Sequence, residues 1–338
     1  MPLCLKIAIV LSCVWSTVSC AQENYGLNPQ AVAVIDELVE QEKFEREELV
    51  AIFTDASRQE SILKAMSRPA EKSKAWYEYR EIFLNEKREV QGVAFYQEHR
   101  ETLERAEKET GVPAEIIVAI IGVETYYGRI AGSYRVIDAL STLAFDYPRR
   151  SEFFTGELKH YLILTRDQGM DPLALKGSYA GAMGYGQFMP SSYRSYAVDF
   201  DGDGIADIWN NPVDAIGSVA NYFKRHGWLE GEKVVAAAQA MKPVPEEMLN
   251  RGRQLKATFT VGEFAAAGLV SEEELEPQTL AMGIEFELED GMEYWLGLHN
   301  FYVITRYNHS SMYAMSVYQL SQRLAANIAE QAVAAVTQ

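Results

Sequence analysis

The chain has 338 residues, with 48 acidic against 31 basic side chains and a formal net charge of −17. So acidic a surface, with no basic run in the sequence, excludes nucleic-acid binding, because affinity for a phosphate backbone comes from Lys and Arg displacing condensed counterions. Hydrophobic residues at 48% and only 11 prolines exclude a disordered or collagenous chain, and the length lets roughly three quarters of the unfolded surface be buried without disulfide or metal staples.

Residues 1–20, MPLCLKIAIVLSCVWSTVSC, carry one base, Lys6, then an apolar stretch too short to span a bilayer, then small residues. This is the pattern of a secretory signal and predicts a periplasmic protein. Two processing outcomes are open. Val18-Ser19-Cys20 resembles a bacterial lipobox, with Thr17 where leucine is usual, and would anchor the chain to the outer membrane by lipid at Cys20; ordinary cleavage after Ala21 would release it, and is slightly favoured. Cys4, Cys13 and Cys20 all fall in this segment, so the exported body has no disulfide, no thiol nucleophile and no Cys metal site.

From Asn28 to Glu109 the text is rich in Glu, Lys, Leu, Ala and Arg with apolar residues at helical spacing, such as Val34 and Leu38, then Leu49, Ile52 and Phe53. Pro113, placed at a first helical position, opens a helix whose body Ile116 to Val123 is apolar on every face and so predicts a buried core helix ending near Gly128. Helices alternating with glycine-rich loops follow to about Trp228. Then the texture changes: Ala257 to Val261 is β-prone, and Ile284 to Leu288 and Met292 to Leu296 alternate about Asp290-Gly291, a hairpin signal. Residues 298–320 return to aromatic and apolar text, leading into an Ala-rich helical tail.

Glu124 directly follows the all-apolar run and shares a helix face with Ile116 and Ile120. Desolvation there disfavours the charged form and would raise its pKa, as a general acid for a glycosidic oxygen requires. An ion pair with Arg129 or Arg149 is the competing reading. The stretch Gly177 to Ser192 fits neither a dinucleotide nor a P-loop pattern, since Met189 stands where a third glycine belongs and no Lys-Ser or Lys-Thr follows. It reads either as a cleft wall, where Ser178 and Gln187 offer hydrogen bonds, or as a tight loop between packed helices. Asp199, Asp201, Asp203 and Asp207, with Gly204 at the sixth position of the loop, have the spacing of oxygen ligands around calcium, and Ile205 would add its carbonyl. The twelfth position is Asn210, not Glu, so closure falls to a carboxylate such as Asp214. The five histidines form no zinc or Ser-His-Asp pattern. Arg149 and Arg150, beside the Tyr147-Pro148 turn, could hold carboxylates or simply face solvent.

Taken together, Gly122-Val123-Glu124-Thr125, Tyr147-Pro148-Arg149-Arg150, the Gly177 to Ser192 stretch, Asp214 to Phe223 with His226-Gly227-Trp228, and Ile304 to Asn308 resemble the membrane-bound lytic murein transglycosylase B family over about residues 28–325. The resemblance implies a mainly α fold with a lysozyme-like helical core, an additional helical domain and a small β-rich domain. It divides the chain into a helical domain at 28–109, a catalytic core at 110–230 with a calcium loop at 199–214, a small β-containing domain at 231–297 and a return segment at 298–325 completing the cleft. It implies that Glu124 is the single catalytic carboxyl, acid then base, in water-free cleavage of the peptidoglycan MurNAc-GlcNAc bond to a 1,6-anhydromuramoyl end. It also implies a substrate cleft of Tyr79, Ser178, Gln187, Tyr222, Tyr307, Asn308 and Tyr313, with aromatic faces stacking on sugars and Arg149 and Arg150 near the peptide stem. Asp199, Asp201, Asp203, the Ile205 carbonyl and Asp214 would hold a structural calcium ion; no organic cofactor is implied. The partners expected are peptidoglycan glycan strands and other wall-remodelling enzymes. Two rivals stand beside this reading: a lysozyme-type muramidase, needing a second carboxylate among Asp138, Asp146 and Glu152 or a positioned water, and a non-catalytic peptidoglycan-binding protein.

Overall fold

The structure is a computed structural model and describes residues 24–67, 74–250 and 255–336. The signal segment at 1–20 and both processing sites, at Cys20 and after Ala21, lie outside the described residues. Among those described, no helix is long and apolar enough to cross a membrane.

The chain is mainly helical. Helices α1 (Pro29–Glu42), α2 (Arg46–Asp55), α3 (Glu60–Ser67), α4 (Trp76–Arg80), α5 (Glu86–Glu98) and α6 (Arg100–Thr110) precede the apolar helix α7 (Ala114–Thr125). Strand β1 (Tyr134–Arg135), α8 (Val136–Asp146), α9 (Ser151–Asp167), β2 (Lys176–Gly177), α10 (Pro190–Tyr196) and α11 (Pro212–Arg225) follow. The β region comprises β3 (Val235–Ala240), β4 (Leu249–Asn250), β5 (Phe259–Thr260), α12 (Val261–Ala267), β6 (Leu269–Ser271), β7 (Leu280–Leu288) and β8 (Gly291–Gly297). Helices α13 (His299–Tyr307) and α14 (Ser311–Val336) close the chain.

Helix α7 is the axis of the largest apolar cluster, and its side chains from Ile116 to Ile121 are all buried against α5, α6, α11 and α14. Full burial contributes about 1.5–3 kcal/mol per large aliphatic side chain, which is why a segment without a polar face must sit here. Pro113 lies just outside the helix at its N-cap, one residue earlier than expected, and Ala114 opens it. A second cluster joins α1, α2 and α3 to α8 and α9. The boundary expected at 109/110 therefore falls inside a packing unit. Helices α4, α5 and α6 share the cluster of α7, while α1 to α3 pack elsewhere, because the apolar faces of α5 and α6 are covered by α7, α11 and α14.

The β region has its own smaller cluster, with strand order β4-β7-β8-β3-β6 and β5 pairing on β7. The expected hairpin forms: Ile284 faces Trp295 and Leu288 faces Gly291 across β7 and β8. Its loop is Glu289-Asp290, one residue before the expected turn, and Gly291 takes φ +106, a left-handed value that its missing Cβ permits. The β-prone run Ala257 to Val261 shortens to the two residues of β5. Thr260 accepts from the Glu263 N–H while the Glu263 carboxylate accepts from the Thr260 N–H, a capping box that starts α12 instead. Strand β3, of sequence VAAAQA, went unforeseen because alanine has little β propensity; pairing with β8 and β6 on both sides makes it a strand.

Candidate active site

Glu124 sits in the last turn of α7, half-buried. Beyond it the chain turns sharply, with Tyr126 and Tyr127 both left-handed at φ +53 and +61. The Tyr313 hydroxyl, at the start of α14, donates to Glu124 Oε1 at 2.5 Å. At the end of α13 the Tyr307 hydroxyl donates to the Gly186 carbonyl at 2.6 Å. Burial first, and the nearby Glu124 carboxylate second, push both phenols well above their ordinary range, so they remain protonated donors. Two helices distant in sequence from α7 thus bring tyrosines to one carboxylate.

The glycine-rich stretch forms the adjoining wall. It closes on itself through the Met183–Phe188 pair of backbone hydrogen bonds, both 2.9 Å, and the Ser178 N–H to Ala182 bond at 2.8 Å, so the tight-loop reading describes its own packing. Thr125 ties this loop to α7: its hydroxyl donates to the Tyr185 carbonyl at 2.9 Å and accepts from the Gly128 N–H at 2.9 Å. This tie was not foreseen, since a threonine after a candidate acid carries no sequence signal by itself. The Ser178 hydroxyl accepts from the Ala180 and Ala182 N–H groups, leaving its own proton to donate. Gln187 spends its amide N–H groups on the Ala131 and Gly184 carbonyls, leaving its side-chain oxygen as an acceptor. Asn308 is half-buried at the C-cap of α13, beside Tyr307.

Other expected residues behave differently. Tyr79, Tyr222 and Tyr313 are only 3%, 7% and 3% exposed, so the expected stacking of their faces on sugars does not match this packing. Tyr79 stacks on Trp76 and meets Phe83. Tyr222 lies against Tyr307 and His226, and its hydroxyl donates to the Arg306 carbonyl at 2.6 Å. These rings pack on protein neighbours because α11, α13 and α4 bring other aromatics against them. Arg149 and Arg150 are exposed on the turn before α9 and make no ion pair among the described residues. Arg150 instead lies 4.1 Å from the Phe153 ring. The second carboxylate of a muramidase is hard to find among the acids considered. Asp138 is buried and held by Arg135 and the Ser57 N–H, Asp146 accepts from the Tyr25 hydroxyl and pairs with Arg58, and Glu152 is exposed on α9.

The carboxylates of Asp199, Asp201 and Asp203 converge, with oxygens within 4.8 Å of one another, all on exposed residues. Like charges that close repel unless a cation lies between them, so the donor set fits a calcium ion. Asp214 does not join them. Its carboxyl is fully buried where the other three are exposed, and it accepts from the Phe200 and Asp207 N–H groups at 2.7 and 2.8 Å, capping the turn that precedes α11. Asn211 links the two groups, donating to Asp201 at 2.7 Å and to Asp214 at 3.2 Å. Asp207 lies outside the converging group and accepts from the Trp209 and Asn210 N–H groups. Ile205 is exposed on the same loop.

A half-buried carboxyl group ending a core helix, accepting from the enclosed Tyr313 hydroxyl beside a wall of backbone and neutral donors, suits the general acid of a lysozyme-like, glycan-cleaving class of enzyme. Comparison with known proteins narrows the class. A family model described as Transglycosylase SLT domain matches residues 27–322. The chain is 47% identical over 311 residues to membrane-bound lytic murein transglycosylase B of Escherichia coli strain K12, covering 89% of this chain and 84% of that protein. The crystal structure of soluble lytic transglycosylase SltB1 from Pseudomonas aeruginosa superposes with a TM-score of 0.85 at 54% identity, covering 88% of this chain and 99% of that one. The Escherichia coli lytic transglycosylase Slt35, solved in complex with calcium, gives a TM-score of 0.83 at 46% identity, covering 91% and 97%. The chain belongs to this family of lytic murein transglycosylases.

Proposed function

We propose that the chain cleaves the β-1,4 bond between N-acetylmuramic acid and N-acetylglucosamine of peptidoglycan strands without water, with Glu124 as acid and then base. The observation that carries this reading is the Glu124–Tyr313 contact. Because the phenol donates to Oε1, the travelling proton is carried by Oε2. The protonated carboxyl gives it to the glycosidic oxygen as the bond to C1 breaks. The resulting carboxylate takes a proton from the muramoyl 6-hydroxyl while that oxygen closes onto C1, which restores the acid and leaves a 1,6-anhydro ring. No second carboxylate is required, and this separates the reaction from the two-carboxylate scheme. The Ser178 hydroxyl and the Gln187 oxygen supply one donor and one acceptor to N-acetyl groups, with Tyr307 and Asn308 beside them. Arg149 and Arg150, exposed and without an ion pair among the described residues, are available to the peptide stem. Mass spectrometry of products from purified protein and sacculi tests the reading: fragments lighter by one water and lacking a reducing end support it, and reducing muramoyl ends would make the enzyme a hydrolase.

Tyr313→Phe keeps the buried ring and removes the donor, so turnover should fall by about tenfold to a hundredfold at little cost in melting temperature. Unchanged turnover would dissociate Tyr313 from the chemistry.

Asp199, Asp201 and Asp203 would hold a calcium ion, with the Ile205 carbonyl next on the loop, and the ion would stabilise that loop. Since a cation bound only by the folded state stabilises by mass action, saturation at a hundred times Kd adds about 2.7 kcal/mol. Chelation should therefore lower the melting temperature, and Asp201→Asn should abolish that response; a melt indifferent to chelator would remove calcium from the account. The exported chain works in the periplasm in this reading, and intact-mass measurement of membrane and soluble fractions distinguishes a lipid at Cys20 from cleavage after Ala21.

A further inference from the structure

Arg88 is a cation in an expensive place. It lies in the first turn of α5, where the helix dipole disfavours positive charge, and is only 9% exposed. Among the described residues no carboxylate pairs with it, and its buried Nε has no hydrogen-bond partner. Burial accordingly pushes its pKa down.

Apart from a long bond from Nη2 to the Ile82 carbonyl at 3.4 Å, its hydrogen bonds across the fold lead to the end of the catalytic helix. Nη1 donates to the Gly122 carbonyl, two residues before Glu124, at the end of α7 where a positive charge is favoured. The guanidinium lies 4.7 Å from the Tyr126 ring, with Phe83 as a second aromatic neighbour at 5.3 Å. The Arg88 carbonyl accepts from the Tyr127 hydroxyl at 2.9 Å. Tyr126 and Tyr127 are the two left-handed residues that follow Glu124 and Thr125, and a left-handed conformation is costly for a side chain this bulky. Gly92 and Gly122 leave the space in which the Tyr127 ring lies, since a Cβ on either would fall within 2.7 Å of it. One residue thus grips the carbonyl before Glu124 and both strained tyrosines after it.

We propose that Arg88 is a positioning residue for the transglycosylation: it clamps the end of α7 in its strained turn and so holds the Glu124 carboxyl in reach of Tyr313 and the scissile bond. Without the guanidinium the Gly122 carbonyl and the Tyr126 ring lose their partner, while the Tyr127 hydroxyl keeps its bond to the residue-88 carbonyl, so Tyr126 relaxes toward right-handed or extended backbone and the last turn carrying Glu124 shifts. The proposal rests on Glu124 being the acid and base. A misplacement of about 1 Å at a reacting group costs on the order of a hundredfold in rate.

The test measures kcat and KM of the full mature chain on soluble uncross-linked glycan strands, well below the melting temperature. Arg88→Met should lower kcat by about a hundredfold with KM nearly unchanged. Arg88→Lys should recover part of kcat, because an ammonium can still reach the Gly122 carbonyl but cannot stack as a plane on Tyr126. Ile35→Val and Leu49→Ala, buried in the other helical cluster, give matched losses of melting temperature and should leave kcat intact. The proposal is overturned if Arg88→Met keeps kcat within threefold of the parent, if its loss falls on KM alone, or if the remote variants of equal stability lose kcat as much. Glu124→Gln in the same assay separates the two readings: activity retained there defeats the assignment of Glu124, whatever Arg88 does.

Discussion

Glu124→Gln should reduce release of soluble fragments from sacculi by at least about a hundredfold, the lower bound of what a positioned acid and base contributes. The substitution is close to isosteric, and the amide oxygen can still accept from the Tyr313 hydroxyl, which lies 2.5 Å from Glu124 Oε1 in the parent. The variant should therefore melt within a degree or two of the parent and still sediment with sacculi, so that the loss reads on chemistry and not on folding or binding. The three classes considered for this chain diverge here. A transglycosylase or a muramidase would lose turnover, and the parent's product mass then distinguishes them, whereas a binding protein would have no turnover to lose. A variant with full lytic activity would remove Glu124 from the mechanism, and with it the argument built on Arg88.

Gly132→Ala should destabilise the fold by about 3 kcal/mol or more, through strain and overpacking together. Gly132 has φ +101, and a Cβ built on it would stand 2.0 Å from the Gly177 carbonyl oxygen and 2.5 Å from the Ser178 nitrogen. Both are backbone atoms and cannot swing aside as a side-chain tip could. The β1–β2 pairing, Tyr134 with Gly177 and Arg135 with Lys176, would have to open, and Ser178 would move with it. Urea unfolding should show a lower midpoint, with activity reduced even where the protein is folded. Gly156→Ala is the counterpart: a Cβ there would meet nothing within 4 Å outside its own helical turn, so it should stabilise by about 0.5–1 kcal/mol. If both variants unfold at the same midpoint, the close approach at Gly132 is not as described.

The apolar run Ile116 to Val123 has no polar face to give to water, so its burial followed from composition, and a carboxyl group at its end was conspicuous before any fold was known. The hairpin about Asp290-Gly291 was legible because alternation and turn chemistry are both local, and the turn missed by one residue because element ends are the least determined feature. The β-prone run ending at Val261 misled, because a capping box starting at Thr260 outweighed side-chain preference for strand.

The candidate site divides the same way. Glu124, the glycine-rich wall and the aspartate loop lie in continuous segments whose residue types announce hydrogen bonding, close backbone approach or cation binding, so each could be named from its own text. A mainly helical chain with a carboxyl group at the end of its most apolar helix was legible from residue types and spacing. The packing of distant helices sets the rest: Tyr313, separated from Glu124 by 189 positions, donates to it, Tyr79 and Tyr222 are walled in by other rings, and Asp214 serves the turn before α11 and not the three aspartates. It also decides that Arg88 belongs to the end of α7. The physical reason is common to all four: a side chain's partner across the fold is set by which helices pack together, and that depends on the sum of buried apolar surface and not on the neighbours in sequence.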